Sequence, residues 1–164
     1  MENRTPPEIL VCLYESNMIE QEPSGLALLD AYKAWDYIRG QTTLSIPTIL
    51  ETHRLLMVHR RIDRVELGCF RQRAVYIGNS EGAPWETIHA NMQAWCELAN
   101  SATAEAQFIN DHIHYEAIHP FIDGNGRTGR MFLNWQRLRQ GLDPLIIWES
   151  EKHDYYRWFY DKNL

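Results

Sequence analysis

The stretch HPFIDGNGRTGR, from His119 to Arg130, combines the chemical groups that phosphate chemistry needs. The ordinary pKa of a histidine such as His119 suits it to accept a proton near neutral pH. Asp123 is a hard oxygen ligand of the kind that Mg²⁺ prefers. Three glycines and two arginines follow directly behind this aspartate. The stretch therefore predicts a cradle for a nucleotide triphosphate with a general base at its edge.

Glycines flank Asn125 at the expected start of a helix. Because Gly124 and Gly126 tolerate positive φ and close backbone approach, this turn can aim N–H groups at an anion. The dipole of the helix favours negative charge at the same place. Arg127 and Arg130 are three residues apart, so both can reach one phosphate chain. The alternative is a glycine-rich connection between two helices, with arginines that are simply solvated. It does not account for the occurrence of the histidine, the aspartate, the glycines and the arginines together in this order.

Most of the chain shows helical spacing of apolar residues, which predicts a mainly helical domain over residues 1–164. A segment before the motif differs, because Val75, Tyr76 and Ile77 favour a strand and Gly78 and Gly82 mark turns. We therefore expect an all-α fold with a short β-hairpin flap. The predicted helices cover about 8–20, 28–39, 46–57, 85–99, 102–118 and 126–140, with a last aromatic helix near 153–160.

The composition limits the function classes. The net charge of −6 gives no basic face for nucleic acid. An odd number of cysteines without metal-type spacing favours a reducing, cytoplasmic setting. The first residues do not resemble a signal peptide, and no apolar run approaches the ~18 residues that span a membrane. The cysteines are Cys12, Cys69 and Cys96.

The motif resembles the Fic signature HPFxDGNGRxxR at every specified position. This resemblance implies an all-α Fic domain that transfers AMP from ATP to a Ser, Thr or Tyr hydroxyl of a target protein. It assigns His119 as the general base and Asp123 as the ligand of Mg²⁺. It also implies that Asn125 helps to hold the α-phosphate and that the two arginines bind the distal phosphates. The implied phosphate-binding set is Gly124, Asn125, Gly126, Arg127, Gly129 and Arg130.

The hairpin GCFRQRAVYIG resembles the flap of Fic proteins, which aligns the target by strand-like pairing. Tyr76, Ile77 and Gly78 are the residues expected at its docking edge. A connecting hairpin that serves packing alone is the alternative. Because backbone pairing depends little on the side chains of the target, the target cannot be identified from the flap.

The segment YESNMIEQE resembles the inhibitory helix of many Fic proteins, whose pattern is [S/T]xxxE[G/N]. Ser16 and Glu20 match this pattern, while Gln21 stands where Gly or Asn is usual. The resemblance implies that residues 8–21 form a helix from which Glu20 pairs with Arg130 and blocks the γ-phosphate site. The alternative is an amphipathic helix that ends in a solvated glutamate.

Two other groups of residues are interpreted as structural. His112 and His114 point about 200° apart on a helix, so they cannot face one metal ion together. The aromatic run near the C-terminal end is interpreted as core and helix packing rather than as an adenine platform. This run consists of Tyr155, Tyr156, Trp158, Phe159 and Tyr160.

Other functions stay open beside AMP transfer. Doc-like relatives transfer phosphate from an inverted ATP, but they depart from the glycine pattern that this chain keeps. De-AMPylation is conceivable because Glu20 could orient a water molecule. A non-catalytic nucleotide-binding module would not need the base and the aspartate beside the phosphates. Self-modification is an expected activity, whereas the target, the preferred base and the oligomeric state are not indicated by the sequence.

Overall fold

The computed structural model describes residues 6–60 and 66–160, and its described part is built mainly from helices. A two-stranded antiparallel hairpin of β1 (Tyr76–Ile77) and β2 (Ser80–Glu81) precedes the second half of the chain. Short 3₁₀ turns lie at Trp85–Thr87 and Glu149–Glu151. The all-α fold class with a small flap is confirmed. The helices are α1 (Pro7–Ile19), α2 (Gly25–Arg39), α3 (Ile46–Met57), α4 (Ile88–Ser101), α5 (Glu105–Ile118), α6 (Asn125–Arg139) and α7 (Lys152–Arg157).

Local sequence signals explain where several helices begin. The side chain of Ser24 accepts a hydrogen bond from the backbone N–H of Ala27 and caps α2. Ser45 caps α3 in the same way, and Pro47 occupies the first turn, where it costs no helical hydrogen bond. Pro7 likewise starts α1. These starts agree with the boundaries expected from the sequence to within a few residues.

The helix pair α5–α6, which flanks the motif, packs around a buried aromatic cluster. The ring centroids of Trp95 and Tyr115 are 5.1 Å apart, and Phe132 lies 5.7 Å from Trp95 and 5.5 Å from Tyr115. All three side chains are almost fully buried. Offset and edge-on aromatic pairs of this kind add packing energy beyond the area that they bury. The cluster fixes α4, α5 and α6 relative to one another and so holds the two ends of the motif loop.

Helix α1 packs against α2 and α6, although it is more than a hundred residues before α6 in the chain. Ile9 and Leu13 enter the main core, and the same face of α1 carries the buried Ser16. This packing brings the C-terminal end of α1 to the start of α6. No helix among the described residues is long and apolar enough to cross a membrane.

Candidate active site

The motif loop begins at His119, which ends α5 in the left-handed conformation with φ 50° and ψ 63°. Gly124 also has a positive φ, 86°, and a Cβ there would lie 2.8 Å from the sulfur of Met57. Only glycine combines this conformation with such close approach. Both backbone reversals let the chain leave α5 and enter α6 within a few residues.

The side chain of Asn125 holds this loop closed. Its Oδ1 accepts from the backbone N–H of Phe121 at 2.9 Å, and its Nδ2 donates to the carbonyl of Phe121 at 2.8 Å. These two bonds position the anion-binding turn. The role of this amide at the α-phosphate stays a prediction, because Nδ2 has a second N–H group beyond the one that Phe121 accepts.

The start of α6 presents backbone donors. Thr128 is the first residue whose backbone N–H bonds back to the loop, at 3.0 Å from the carbonyl of Gly124. The N–H groups of residues 125–127 precede the helical hydrogen-bond pattern, as the first amides of every helix do. Together with the helix dipole, these donors form a site for an anion.

His119 is arranged as a base. Its Nδ1 lies 3.3 Å from the backbone carbonyl of Glu116 and 3.8 Å from the Oε2 atom of the same residue. Because both groups are acceptors, the proton of the neutral ring belongs on Nδ1, which leaves the lone pair on Nε2. Burial lowers the pKa of His119, so the imidazole is neutral at pH 7.

Glu116, which lies one helical turn before His119, is a residue of the site that the motif does not indicate. Its Oε1 atom is buried without a hydrogen-bond partner among the described residues. Burial raises the pKa of this carboxyl to about 7. A buried acid beside the base is therefore part of the site, and its position three residues before the histidine is the only sequence signal.

Gly129 explains how Glu116 fits. A Cβ on Gly129 would lie 2.9 Å from Oε1 of Glu116 and 2.9 Å from Cε1 of His112. Gly129 is buried in α6 against α5, and it does not line the cavity described below. The missing side chain makes room for two α5 residues, and the assignment of Gly129 to phosphate binding stays a prediction.

Arg130 is buried and fully engaged. Its Nε donates to the hydroxyl of Ser16 at 2.8 Å, and its Nη2 donates to the carbonyl of Ser16 and, at 2.8 Å, to Oε1 of Glu20. Nη1 donates to the hydroxyl of Tyr155. Burial opposes the charge of Arg130, but the oxygens of Tyr155 and Glu20 more than offset it, so its pKa is raised. The two residues of the SxxxE pattern therefore meet the second arginine of the motif.

Gly126 lies under this ion pair. A Cβ at this position would collide with the carboxylate of Glu20 and the guanidinium of Arg130. The missing side chain therefore leaves a space directly above the first turn of α6. In the structure, the carboxylate of Glu20 occupies that space.

The end of α1 shows why Gly or Asn suits the position after Glu20. Gln21 has φ 57°, its N–H bonds to the carbonyl of Met18, and the N–H of Glu22 bonds to the carbonyl of Asn17. These two bonds define a Schellman motif, whose left-handed residue is usually Gly and sometimes Asn. Gln21 adopts the same conformation at a steric cost of ~1–2 kcal/mol. The departure from the pattern changes the strain of the turn but not its geometry.

Asp123 is tied to both sides of the loop. Its Oδ1 accepts from the N–H of Gly124 at 2.7 Å and lies 3.5 Å from Nη2 of Arg127. Its Oδ2 pairs with Arg60 at 3.0 Å, and the other end of Arg60 pairs with Glu22. The guanidinium of Arg60 therefore links the candidate metal ligand to the segment that follows α1. Neither Arg60 nor Glu22 carries a sequence signal for this role.

The backbone of Asp123 is also held in place. The Nδ1 atom of His53 accepts from the N–H of Gly68, so its Nε2 donates to the carbonyl of Asp123 at 2.9 Å. Burial lowers the pKa of His53 to about 4, which keeps the ring neutral. The ring also stacks on Phe121 with centroids 3.7 Å apart. His53 thus fixes the loop from the side of α3.

Arg127 differs from Arg130 in its surroundings. Its side chain is 2% exposed, and its Nε and Nη1 atoms have no hydrogen-bond partner among the described residues. Burial lowers its pKa. A buried guanidinium with unused donors is costly unless an anion supplies acceptors. Arg127 and Arg130 both line a small pocket beside α1, and Arg130 also lines the larger cavity described below.

A cavity of about 580 Å³ joins these elements. Tyr155, Tyr156, Phe159 and Tyr160 form one wall, whereas Trp158 packs in a hydrophobic cluster with α5 and α6. Four members of this aromatic run therefore line the cavity, and one of them, Tyr155, is also buried against His112 and Phe159. Tyr76, expected at the docking edge, is 72% exposed and lies outside the cavity. The other lining residues are Glu20, Ile77, Gly78, Ser80, Glu81, Ile113, Glu116, Ala117, His119, Gly126 and Arg130.

Comparison with known proteins identifies the family. The model of the Fic/DOC family matches residues 43–136. This chain belongs to the Fic/DOC family. Two curated relatives named protein adenylyltransferase Fic, from Drosophila yakuba and Drosophila melanogaster, are 35% and 34% identical to it over 118 residues. The matched region is 69% of this chain but only 23% and 24% of those relatives, so the chain spans about a quarter of their length.

Solved structures of Fic proteins share the fold. A Fic domain containing signaling protein from Bacteroides thetaiotaomicron superposes with a TM-score of 0.78 at 21% identity, over 92% of this chain and 70% of that one. Fic-1 from C. elegans gives a TM-score of 0.81 at 22% identity, over 93% and 55%. The family model matches neither α1 nor the aromatic wall. The position of these two elements beside the motif is therefore taken from the structure.

The strain at Gln21 can be measured. Gln21→Gly should raise the free energy of unfolding by about 1 kcal/mol, because glycine adopts the left-handed conformation without steric cost. Urea denaturation at constant m-value measures this change. Gln140→Gly is the matched control, because Gln140 also follows a helix but has φ −96°. An equal gain in both variants would show that Gln21 is not strained.

The pKa of Glu116 predicts a pH dependence of stability. Its folded pKa of about 7 exceeds the usual 4.5, so the folded state loses stability as the pH rises from about 4.5 through 7. Glu116→Gln removes this loss. The stability of the variant relative to the wild type should therefore rise by up to about 3 kcal/mol between pH 4.5 and 8. Urea denaturation across this range tests the prediction, and a pH-independent difference would contradict it.

Proposed function

We propose that this Fic domain transfers AMP from ATP to a hydroxyl group of a target protein. The observation that carries the proposal is the convergence of three groups on one cavity: the base His119, the first turn of α6 at Gly126, and the buried cation Arg130. A base next to an anion-binding turn suits attack on a phosphorus atom. The names of the Drosophila relatives support the same activity.

The phosphates would lie over the first turn of α6, with the distal phosphate at Arg130. Arg127 would add donors that now lack an acceptor. The adenine would extend toward the aromatic wall, where Tyr156 and Phe159 offer faces and edges for stacking. The cavity volume lies within the range of small-molecule sites. The nucleotide would thus run from the motif to the wall.

In the reaction, Nε2 of His119 takes the proton of the target hydroxyl, and the oxygen of that hydroxyl attacks the α-phosphorus. A new O–P bond forms, the bond from the α-phosphorus to the bridging oxygen breaks, and pyrophosphate leaves. The N–H groups at the start of α6 stabilise the charge that develops on the α-phosphate. The carbonyl of Glu116 keeps the imidazole oriented through Nδ1.

The residues present fit a magnesium ion held by Asp123. Mg²⁺ in nucleotide sites uses one or two carboxylates together with substrate phosphates. The Asp123 side chain is partly exposed at the loop before α6, and it would have to exchange its pairing with Arg60. When bound, the ion would offset the charge of the α- and β-phosphates. Residues 6–60 and 66–160 hold no cluster of three or more His, Cys, Asp or Glu side chains suited to a metal, so no further protein ligand is proposed.

The hairpin would dock the target. Ile77 and Gly78 line the cavity on the side of the flap, and Tyr76 projects into solvent from the same strand. A strand of only two residues with an exposed edge can accept an extended segment by backbone pairing. Such pairing would carry the target hydroxyl toward His119, and a segment of this protein itself could serve as the target. The dependence on ATP and the three free cysteines fit a cytoplasmic setting.

We infer further that the resting protein is autoinhibited. The donors of Arg130 that would bind the distal phosphate are engaged by Glu20 and Ser16. A guanidinium cannot give the same donors to a carboxylate and a phosphate at once. The Arg60 link between Glu22 and Asp123 adds a second tie between the inhibitory segment and the motif.

His119→Ala tests the base. This variant should lose ~10²–10⁴-fold in transfer rate, while ATP binding stays nearly unchanged, because the imidazole acts on the hydroxyl. Transfer is followed with ATP labelled at the α-phosphate, and binding by calorimetry. His89→Ala, at an edge-on contact with Phe70, is the control histidine. Full transfer by the His119 variant would remove this residue from the mechanism, and label from the γ-phosphate would indicate phosphate transfer instead.

Glu20→Gly tests the inhibition. Loss of a charge-assisted hydrogen bond worth roughly 1.5–3 kcal/mol should raise AMP transfer by about one to two powers of ten. Arg130→Ala in the same chain should abolish the gain, because the distal phosphate then lacks its cation. The control Glu8→Gln removes a negative charge from the other end of α1. Unchanged or lower activity in folded Glu20→Gly protein would exclude the inhibitory role.

A further inference from the structure

Arg71, which lies between the core and the flap, is a buried cation that the proposed chemistry does not use. Its side chain is almost fully buried. Its Nε donates to the carbonyl of His119 at 2.7 Å, and its Nη2 donates to the carbonyl of Ile118 at 3.3 Å. Its backbone N–H bonds to the carbonyl of Pro120 at 2.9 Å. Arg71 thus contacts the backbone of three consecutive residues around the base.

The other donors of the same guanidinium reach both ends of the flap. Nη1 donates to the carbonyl of Arg73 at 2.8 Å, just before β1. Nη2 also donates to the carbonyl of Ala83 at 2.6 Å, just after β2. One planar group with fixed donor directions therefore joins the two ends of the hairpin to the C-terminal end of α5.

Within the described residues, Arg71 forms no ion pair with a carboxylate; its hydrogen-bond acceptors are carbonyl groups. Burial lowers its pKa, which shows that the charged form is costly here. The negative charge of Glu81 favours the charged form, and the hydrogen bonds to carbonyl groups satisfy the buried donors. A purely apolar side chain could fill the space but could not fix four carbonyls.

His119 needs such a fixed backbone. Its left-handed conformation is uncommon for a residue with a side chain, and it persists only where the surroundings determine it. The carbonyl of His119 is held by Arg71, and its N–H bonds to the carbonyl of Tyr115. The two bonds fix the peptide groups on both sides of the Cα atom and hence the direction of the imidazole.

We propose that Arg71 is a positioning residue that sets the catalytic histidine and the target-docking flap in one geometry. The inference rests on the proposed function, in which His119 is the base and the hairpin docks the target. A segment paired to the flap is then placed relative to Nε2 of His119 through one guanidinium. Displacement of reacting groups by about 1 Å can cost ~10²-fold in rate.

The charge of Arg71 acts on the same histidine. Burial is the main reason that the pKa of His119 is lowered, and the positive charge of Arg71 lowers it further. The other groups that face the imidazole are Glu116 on α5, Glu20 at the end of α1 and Asp123 in the loop, and each favours the protonated ring. Removing the charge of Arg71 must therefore raise the pKa of His119.

The experiment compares Arg71→Lys, Arg71→Gln and the control Arg73→Gln in the Glu20→Gly background. Arg73 pairs with Glu66 on the surface, and its side chain is 64% exposed. We expect kcat for AMP transfer to fall ~10–100-fold in both Arg71 variants, with KM for ATP changed less than about twofold. The control should keep its kcat.

A second readout does not need activity. The imidazole of His119, assigned by comparison with His119→Ala, is titrated by NMR in each variant. Its pKa should rise in Arg71→Gln and stay near that of the parent in Arg71→Lys, which keeps the charge. Unfolding midpoints in urea identify any variant that does not fold. If Arg71→Gln is unfolded, the kcat of Arg71→Lys tests the proposal.

Two results would overturn the proposal: kcat equal to that of the Arg73→Gln control, or a loss of kcat that matches the unfolded fraction with no change in the pKa of His119. If no variant and no parent protein transfers AMP, the proposed function fails. The NMR titration then still decides whether Arg71 acts on His119.

Discussion

A buried guanidinium must have an anion or several acceptors beside it, and the structure of this Fic domain is organised around that constraint at Arg130. Removing one partner from a buried charge costs ~3–5 kcal/mol. Ser16, Tyr155 and Glu20 supply the acceptors in this state. Because Arg130 lies beside the turn at Gly126, the distal phosphate of the proposed nucleotide would replace the carboxylate at these donors. On that proposal, the folding of α1 and the binding of a nucleotide depend on the same donors.

This constraint explains why distant parts of the chain are held together. The apolar face of α1 packs on α2 and α6, and it carries Ser16 and Glu20 to Arg130. The Schellman turn at Gln21 then directs the chain to Glu22, which meets Arg60 and through it Asp123. The strain at Gln21 reduces the stability of this turn, and the ion pairs of Glu20 with Arg130 and of Glu22 with Arg60 help to hold it in place.

Features that are encoded locally could be predicted from the sequence. The helices, the hairpin and the motif from His119 to Arg130 follow from periodicity, caps and glycine placement, and the fold class is confirmed. The Ser16 and Glu20 pair was also visible, because one short pattern encodes it. The roles of Arg60, Arg71 and Glu116 were not visible, because each depends on elements that meet only in the folded chain.

Some contacts of the site residues could not be predicted from the sequence. Asn125 and Gly129 have the residue types of an anion site, and in the fold one also closes the loop onto Phe121 while the other makes room for His112 and Glu116. The aromatic residues near Tyr156 have the spacing of a packing helix, yet they line the cavity. Residue type and spacing limit the roles that a side chain can have. Its neighbours in the folded chain determine which of those roles it takes.

The contribution of the third phosphate to binding tests the central claim most directly. Calorimetry would compare the affinities of ATP and ADP for the wild type and for Glu20→Gly. If Glu20 occupies the place of the distal phosphate at Arg130, ATP and ADP should bind the wild type with similar affinity. In the variant, ATP should bind about tenfold or more tightly than ADP, as a charge-assisted hydrogen bond allows. The same ratio of affinities in both proteins would contradict the account.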